Sequence, residues 1–263
     1  VRETSGIAQI QRVGGLVLVI ILATIIIELV GGVALWYQFY ARYGITDLVW
    51  LAVFHSISSF NNAGFDIFTN GTSVAEFAGD AAFLFTTGIL IVAGGLGMLL
   101  LLDVVSKRKW GKFTFNTRIV LVTSILLLVF GFLAIFFFEY TNPDTLGKMS
   151  VMEKATTAAF HSASRTSGFA SVDVSKVKEE TQFIKIVLMY IGGATGSTAG
   201  GIKVTTFAVL VLATFASVRG HEHGKLFGRR IPHRVVYRAG AVAGLYALVI
   251  LVGAFVLIIT EQF

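Results

Sequence analysis

The sequence predicts an all-α, polytopic membrane protein, and three observations carry that prediction. Of its 263 residues 55% are hydrophobic and only 14% charged, with a mean hydropathy of +0.80, where soluble domains average about 45–50% and about 25%. Four apolar stretches reach the length of about 20 residues that a bilayer crossing needs. The segments between them alternate in net charge. This combination excludes an ordinary water-soluble enzyme. There is no cysteine, which removes disulfides and thiolate metal sites. Residue 1 is Val and no cleavable leader pattern precedes the first apolar run, so the chain is expected to begin inside a longer protein.

The first expected span, residues 13–35, holds one acid, Glu28. Residues 36–80 follow, where Arg42 stands against Asp47, Asp66, Glu76 and Asp80, a net −3. Within that segment, residues 48–60 are apolar but too short to span, which marks a re-entrant or buried helix. The second span covers 81–102. In residues 103–118, Lys107, Arg108, Lys109, Lys112 and Arg118 outweigh Asp103, a net +4. The third span covers 119–138. Residues 139–182, with five bases and six acids, net −1 and contain a second short apolar run at 155–163. Next come an unusual apolar region at 183–218 and then residues 219–238. There Arg219, Lys225, Arg229, Arg230, Arg234 and Arg238 face only Glu222, a net +5. The last span is 239–259. The positive-inside rule places the two basic segments in the cytoplasm. Both short runs then lie in outer segments, so each must dip into the membrane and return.

The two short runs are copies of one motif. Residues 54–65 read FHSISSFNNAGF and residues 160–169 read FHSASRTSGF, offset by 106 residues at the shared Phe. After each comes a strip of small residues, Asn62-Ala63-Gly64-Phe65 and Thr166-Ser167-Gly168-Phe169. Non-helical backbone at membrane depth is tolerated only where it is buried in protein or lines a water-filled path. A short helix entering from outside turns its carbonyl end, worth about half a negative charge, toward the membrane centre. Acidic ligands are scarce in the strips, so their backbone carbonyls are the candidate cation ligands. Glycine there supplies the dihedral that aims a carbonyl inward, and the aromatic after it can wedge the strip in place. Rings of such carbonyls replace a hydration shell in potassium filters.

Residues 183–218 would form a straight helix of about 54 Å at about 1.5 Å per residue, against a hydrocarbon core of about 30 Å. Its middle, residues 192–201, has five glycines in ten residues, each costing about 1 kcal/mol relative to alanine in a helix. Two half-helices joined by an irregular intramembrane loop are expected. A phosphate-binding loop is a poor reading of Gly196–Gly201, because Lys203 falls one residue late. Gly88, Gly94, Gly95 and Gly97 in the other copy are read as close helix packing.

The NNAGF run ending at Phe65, the SRTSGF run ending at Phe169 and the GGATGSTAGGIK run from Gly192 to Lys203 resemble the Trk/Ktr/HKT superfamily of potassium uptake proteins. That resemblance implies helix–pore loop–helix repeats as in potassium channels. It divides the chain into a second repeat at 1–118, a third at 119–218 and, at 219–263, a cytoplasmic loop with the first helix of a fourth. It makes Asn62, Ala63, Gly64, Phe65, Thr166, Ser167, Gly168 and Phe169 part of a selectivity filter. Gly192, Gly193, Gly196, Ser197, Thr198, Gly200, Gly201 and Lys203 become a gate loop within 192–203, with the Lys203 charge obstructing a cation. Potassium is implied as the transported ion, with sodium as a second candidate, and no covalently bound cofactor or nucleic acid partner. The expected setting is the cell membrane, as a homodimer with a cytoplasmic nucleotide-binding ring subunit. Two filter strips are half of a ring of four, so a fragment of a larger transporter is expected. The competing readings are an alternating-access secondary transporter that binds substrate at the broken helix and an intramembrane hydrolase using Ser197 with His161.

The other polar residues have plainer expectations. His55 and His161 recur at matching places and read as structural hydrogen-bonders. His221-Glu222-His223 reads as a solvated turn rather than a metal site. Arg165 is expected to turn from the filter toward a carboxylate. Glu28 inside a span marks a functional site by default or else pairs with a residue outside this chain, and Asp66 and Asp173 would either concentrate cations at the mouth or stand as plain solvated acids.

Overall fold

The computed structural model describes residues 2–43, 48–68, 73–220, 225–226 and 229–260. Among the described residues the regular elements are helices, apart from a hairpin of two two-residue strands, in which Lys225–Leu226 pairs antiparallel with Arg229–Arg230. Helix α1 (Arg2–Tyr43) is followed by the short α2 (Val49–Phe60), then α3 (Ala81–Leu96) and α4 (Met98–Lys107). The same succession recurs as α5 (Phe115–Glu139), α6 (Val151–Ala163), α7 (Glu179–Tyr190) and α8 (Val204–Val218), and α9 (His233–Thr260) closes the chain. Among the described residues, Gly14–Arg42, Phe115–Glu139 and His233–Thr260 are long and apolar enough to cross a membrane. Their leucines, valines and phenylalanines are largely exposed, with α9 the extreme case. Such a surface suits lipid and not water. At 12 and 13 residues, α2 and α6 are too short to cross.

One expected span needs correcting. Residues 81–102 are not one helix: the chain bends by 96° between α3 and α4. Gly97 makes the turn with φ +79°, a conformation that glycine adopts without a steric penalty. Gly97 therefore breaks the helix, and it is closely packed as well, since a Cβ there would lie 3.0 Å from Gly196 O. Gly94 packs closely within the helix, since a Cβ there would overlap the Phe60 carbonyl.

The motif shared by the two halves has a physical explanation. Ser56 donates to Glu28 O (2.6 Å) and Ser162 to Leu128 O (2.8 Å), each tying a short helix to the long helix before it. Room for these serines comes from Gly31 and Gly131, where an added Cβ would collide with the serine hydroxyl and with Leu90 or Leu188. In the first half an aromatic core forms around Phe39, Phe68, Phe77 and Phe83, with Phe77 stacked on Phe83 at 4.0 Å. In the second half a buried carboxylate holds the outer segment. Glu139, 2% exposed, accepts from Asn142 Nδ2, Thr145 Oγ1, Lys178 N and Thr181 Oγ1 at 2.5–3.0 Å. Four donors make this burial tolerable, because an uncompensated carboxylate would be prohibitive.

Candidate functional site

Each short helix delivers the chain into a strip, and the two strips touch. Helix α2 ends at Phe60 and α6 at Ala163, the latter continuing as a 3-10 turn over Ser164–Thr166. Asn62 (φ +53°), Gly64 (φ +71°) and Gly168 (φ +91°) all take left-handed backbone conformations. A Cβ on Gly64 would overlap the Ser167 carbonyl and lie 3.2 Å from Gly168 Cα. The two strips therefore abut glycine to glycine, a spacing that no side chain at position 64 would permit.

Two serines shape the strips. Ser58 Oγ donates to Phe65 O (2.7 Å) and Ser164 Oγ to Phe169 O (3.0 Å), which draws the end of each strip back over its own short helix. Among the described residues, the carbonyl oxygens of Asn62, Ala63, Gly64, Thr166, Ser167 and Gly168 accept no hydrogen bond. Those of Phe65 and Phe169 do, so the open acceptors end at the glycines. The aromatic wedge holds only once: Phe169 is 2% exposed and joins the core, while Phe65 is 72% exposed. The difference lies in the neighbours, since Phe169 packs into the aromatic core of the first half and near the His55 ring.

Residues 191–203 separate α7 from α8. Ile191 and Ile202 form a single parallel bridge, closed by Gly192 N to Ile202 O (2.9 Å) and Ile202 N to Tyr190 O (2.9 Å). Gly192 and Gly201 permit this, because a Cβ on Gly192 would overlap the Gly200 carbonyl and Gly201 has φ +74°. The loop is fastened to the broken end of α3: Ala194 N donates to Gly95 O (2.9 Å) and Thr198 N to Gly94 O (3.2 Å). Gly193 packs against Gly95 O, and Gly97 against Gly196 O. Gly196 and Gly200 face open space, and the Ser197 hydroxyl has no partner among the described residues. The Lys203 ammonium folds back onto Ala199 O (3.0 Å) and braces the loop. A phosphate-loop reading gains nothing, since a helix and not a strand precedes the glycines.

The Asn62 side chain joins all of these parts. Its Nδ2 donates to Ile91 O (3.1 Å) on α3 and to Thr198 Oγ1 (3.0 Å) on the loop, and its Oδ1 accepts from Thr166 Oγ1 (2.9 Å) on the other strip. Thr198 Oγ1 in turn donates to Phe60 O (2.9 Å), the last carbonyl of α2. Strips and loop thus form one assembly.

Other expectations resolve individually. Among the described residues Arg165 reaches no carboxylate. It is 8% exposed, its Nε and Nη1 have no partner among the described residues, and it borders a cavity of about 30 Å³ with Ser124, Thr166 and Gly193. Glu28 has a partner, Asn61 Nδ2 at 2.8 Å, so its acid braces the end of α2. The histidines are structural but differ: His55 bonds Leu51 O (2.8 Å) and stacks on Phe68, whereas His161 Nε2 meets Ser171 Oγ (3.1 Å). His161 is therefore not paired with Ser197, and no hydrolase dyad forms. Asp173 is occupied as a turn cap on Ser175 N (3.0 Å) and Oγ (2.7 Å). His221-Glu222-His223 lies outside the described residues. Sequence reasoning missed the seat that α3 offers the loop, although the run Gly94-Gly95-Leu96-Gly97 carried the signal.

The chain has known relatives. A family model described as TrkH, cation transport protein, matches residues 2–263. The chain is 34% identical over 263 residues to the Ktr system potassium uptake protein B of Bacillus subtilis (strain 168), covering 100% of this chain and 59% of that protein. It is 37% identical over 266 residues to the Ktr system potassium uptake protein B of Vibrio alginolyticus, covering 99% and 58%. The crystal structure of the potassium transporter TrkH from Vibrio parahaemolyticus superposes with a TM-score of 0.74 at 22% identity, covering 97% of this chain and 53% of that one. The chain thus spans a little over half the length of these relatives.

Proposed function

Because the chain belongs to the TrkH family of cation transport proteins, we propose that it supplies about half of a potassium path across the cell membrane, with two filter strips and a gate beneath them. The observation that carries this reading is the pair of abutting strips, each at the carbonyl end of a short helix and each with unpaired backbone carbonyls. Such carbonyls replace the water that a potassium ion sheds, and the two helix ends add a partial negative charge of about one half each. The inside-negative potential contributes about 2.3 kcal/mol per 100 mV for each inward charge. No bond is made or broken, so the protein works as a transporter and not as an enzyme.

The chain reads as two helix–pore loop–helix repeats, 1–118 and 119–218, and the opening of another at 219–263. Its relatives named for potassium uptake support potassium as the cargo. Residues 191–203 read as the gate because they touch the end of α2 through Thr198. A homodimer and a cytoplasmic nucleotide-binding ring subunit belong to the same reading, supported by family membership; the basic segments 103–118 and 219–238 permit the ring subunit.

Rubidium and sodium uptake by the full-length protein tests the proposal. Gly64→Ser or Gly168→Ser should lower the potassium-over-sodium ratio, and deleting residues 192–203 should raise basal flux. Unchanged selectivity together with unchanged flux would overturn it. Saturable flux that requires a coupled ion, lost on changes in 192–201 but not at Gly64 or Gly168, would favour a secondary transporter instead.

A further inference from the structure

The hydrogen bonds around Asn62 run in one direction. Ile91 O is only an acceptor, so the Asn62 atom facing it must be the amide nitrogen, and the amide cannot be flipped. The carbonyl Oδ1 therefore faces Thr166, which must donate. Thr198 Oγ1 receives the Asn62 amide hydrogen and has its own hydrogen left for Phe60 O. The chain Thr166 to Asn62 to Thr198 to Phe60 O is thus polarised toward the end of α2, and aligned bonds of this kind strengthen one another. The backbone points the same way. Asn62 holds φ +53°, a conformation that glycine would adopt without the steric penalty, so what the position uses is the side chain.

We propose that Asn62 and Thr198 form a latch coupling the filter strips to the gate loop. This rests on the reading of residues 191–203 as a gate. The loop leaves its seat only by breaking Asn62 Nδ2 to Thr198 and Thr198 to Phe60 O. Asn62 then keeps Ile91 O, Thr166 and a longer bond to Phe60 O (3.4 Å), its strip loses one of its anchors, and the Phe60 carbonyl loses the shorter of its two side-chain donors. By linkage, whatever holds the strip in its bonded shape also holds the loop closed, and release of the loop loosens the strip. Both are positioning residues, since neither side chain is offered as an ion ligand.

The test uses rubidium flux through the full-length protein. Thr198→Val keeps the shape and removes the hydroxyl, and basal flux is expected to rise roughly tenfold, the size of one to two net hydrogen bonds. Thr198→Ser restores the bond and should return flux to the wild-type level. Asn62→Ala combined with Thr198→Val should raise flux by less than the product of the two single effects. A second readout does not depend on transport. Residues 1–263 hold no cysteine and position 200 faces open space, so Gly200→Cys, with any cysteine outside these residues replaced by serine, reports loop exposure through its rate of reaction with a water-soluble maleimide. That rate should rise about tenfold with Thr198→Val. Equal behaviour of the Val and Ser variants, or single effects that simply multiply, overturns the latch. If deleting 192–203 raises flux while Thr198→Val changes neither flux nor labelling, the latch fails and the gate stands. If the deletion changes nothing, the gate and the latch fall together.

Discussion

Adjacent glycines on α3 should respond to the same substitution with opposite signs. At Gly94 an alanine Cβ would overlap the Phe60 carbonyl and lie 2.8 Å from Thr198 Oγ1. The first obstacle is backbone and cannot swing aside, so α3 must move away from α2 or the loop must leave its seat. Overpacking of this kind typically costs about 1–3 kcal/mol, and a collision with backbone lies at the upper end. The alanine gains about 1 kcal/mol of helix propensity, which leaves a net loss of about 2 kcal/mol, or roughly 30-fold in the folding equilibrium. At Gly95 the nearest atom to a new Cβ is Ala199 Cβ at 3.9 Å, an ordinary contact. Only the propensity gain of about 1 kcal/mol remains there. Thermal unfolding of the two purified variants in detergent measures the difference, and basal rubidium flux reports whether the loop has been dislodged. Gly94→Ala should melt lower and leak, while Gly95→Ala should melt at or above wild type and stay tight. A Gly95→Ala variant that is as unstable as Gly94→Ala would refute the argument from local space.

Three further outcomes follow from particular bonds. Glu139→Gln must turn its NH2 toward either Asn142 Nδ2 or Lys178 N, neither of which can accept, while the threonine hydroxyls can rotate to accept; it should cost about 2 kcal/mol, read as a lower unfolding temperature in detergent, and a variant as stable as wild type would contradict the buried cage. Ser58→Ala and Ser164→Ala each free a strip-end carbonyl at about 1 kcal/mol, and should lower the rubidium-over-sodium uptake ratio about fivefold. The Ser175 hydroxyl, then its amide, hold the Asp173 carboxyl below its usual range. Its contribution is therefore fully present above about pH 4 and fades only as pH falls through the lower folded value. The stability difference between wild type and Asp173→Asn should accordingly stay flat from about pH 7 to 5 and shrink below about pH 4, and a change between 7 and 5 would count against it.

What the sequence makes legible is what repeats or what is long. Apolar length marks α1, α5 and α9 because a bilayer sets the same length for every crossing, and the FHS motif marks α2 and α6 because both serve one local geometry. Glycine density marks residues 191–203, since no helix survives five glycines in ten residues. The bend at Gly97 escapes this reasoning. A glycine that breaks a helix and one that packs it look alike in sequence, and only the partner decides. Gly94 has the Phe60 carbonyl beside it, whereas Gly97 has a positive φ. The latch is equally hidden, because Asn62 and Thr198 are 136 residues apart and belong to different motifs. Phe65 and Phe169 show the converse limit. The repeat predicts the same role for both, but one is buried and the other exposed, because only the second strip lies against an aromatic core.

The two helix breaks require each other. A helix that stops at membrane depth leaves carbonyls without partners, and an irregular loop leaves amides, at several kcal/mol for each such group in hydrocarbon. Helix α3 stops at Leu96 with Gly94 O and Gly95 O turned outward, and residues 191–203 bring Thr198 N and Ala194 N to meet them. Either break alone would be prohibitive, whereas seated together each supplies what the other lacks. This constrains how the loop can move. A displacement separates donors from acceptors on both sides at once: Gly94 O keeps Gly97 N (3.1 Å), but Gly95 O, Ala194 N and Thr198 N lose these partners. Water is the ready replacement for such groups at membrane depth, so unseating the loop favours its entry. On the proposed reading of the loop as a gate, unseating it and hydrating the path beneath the strips are coupled, so that opening and wetting favour each other.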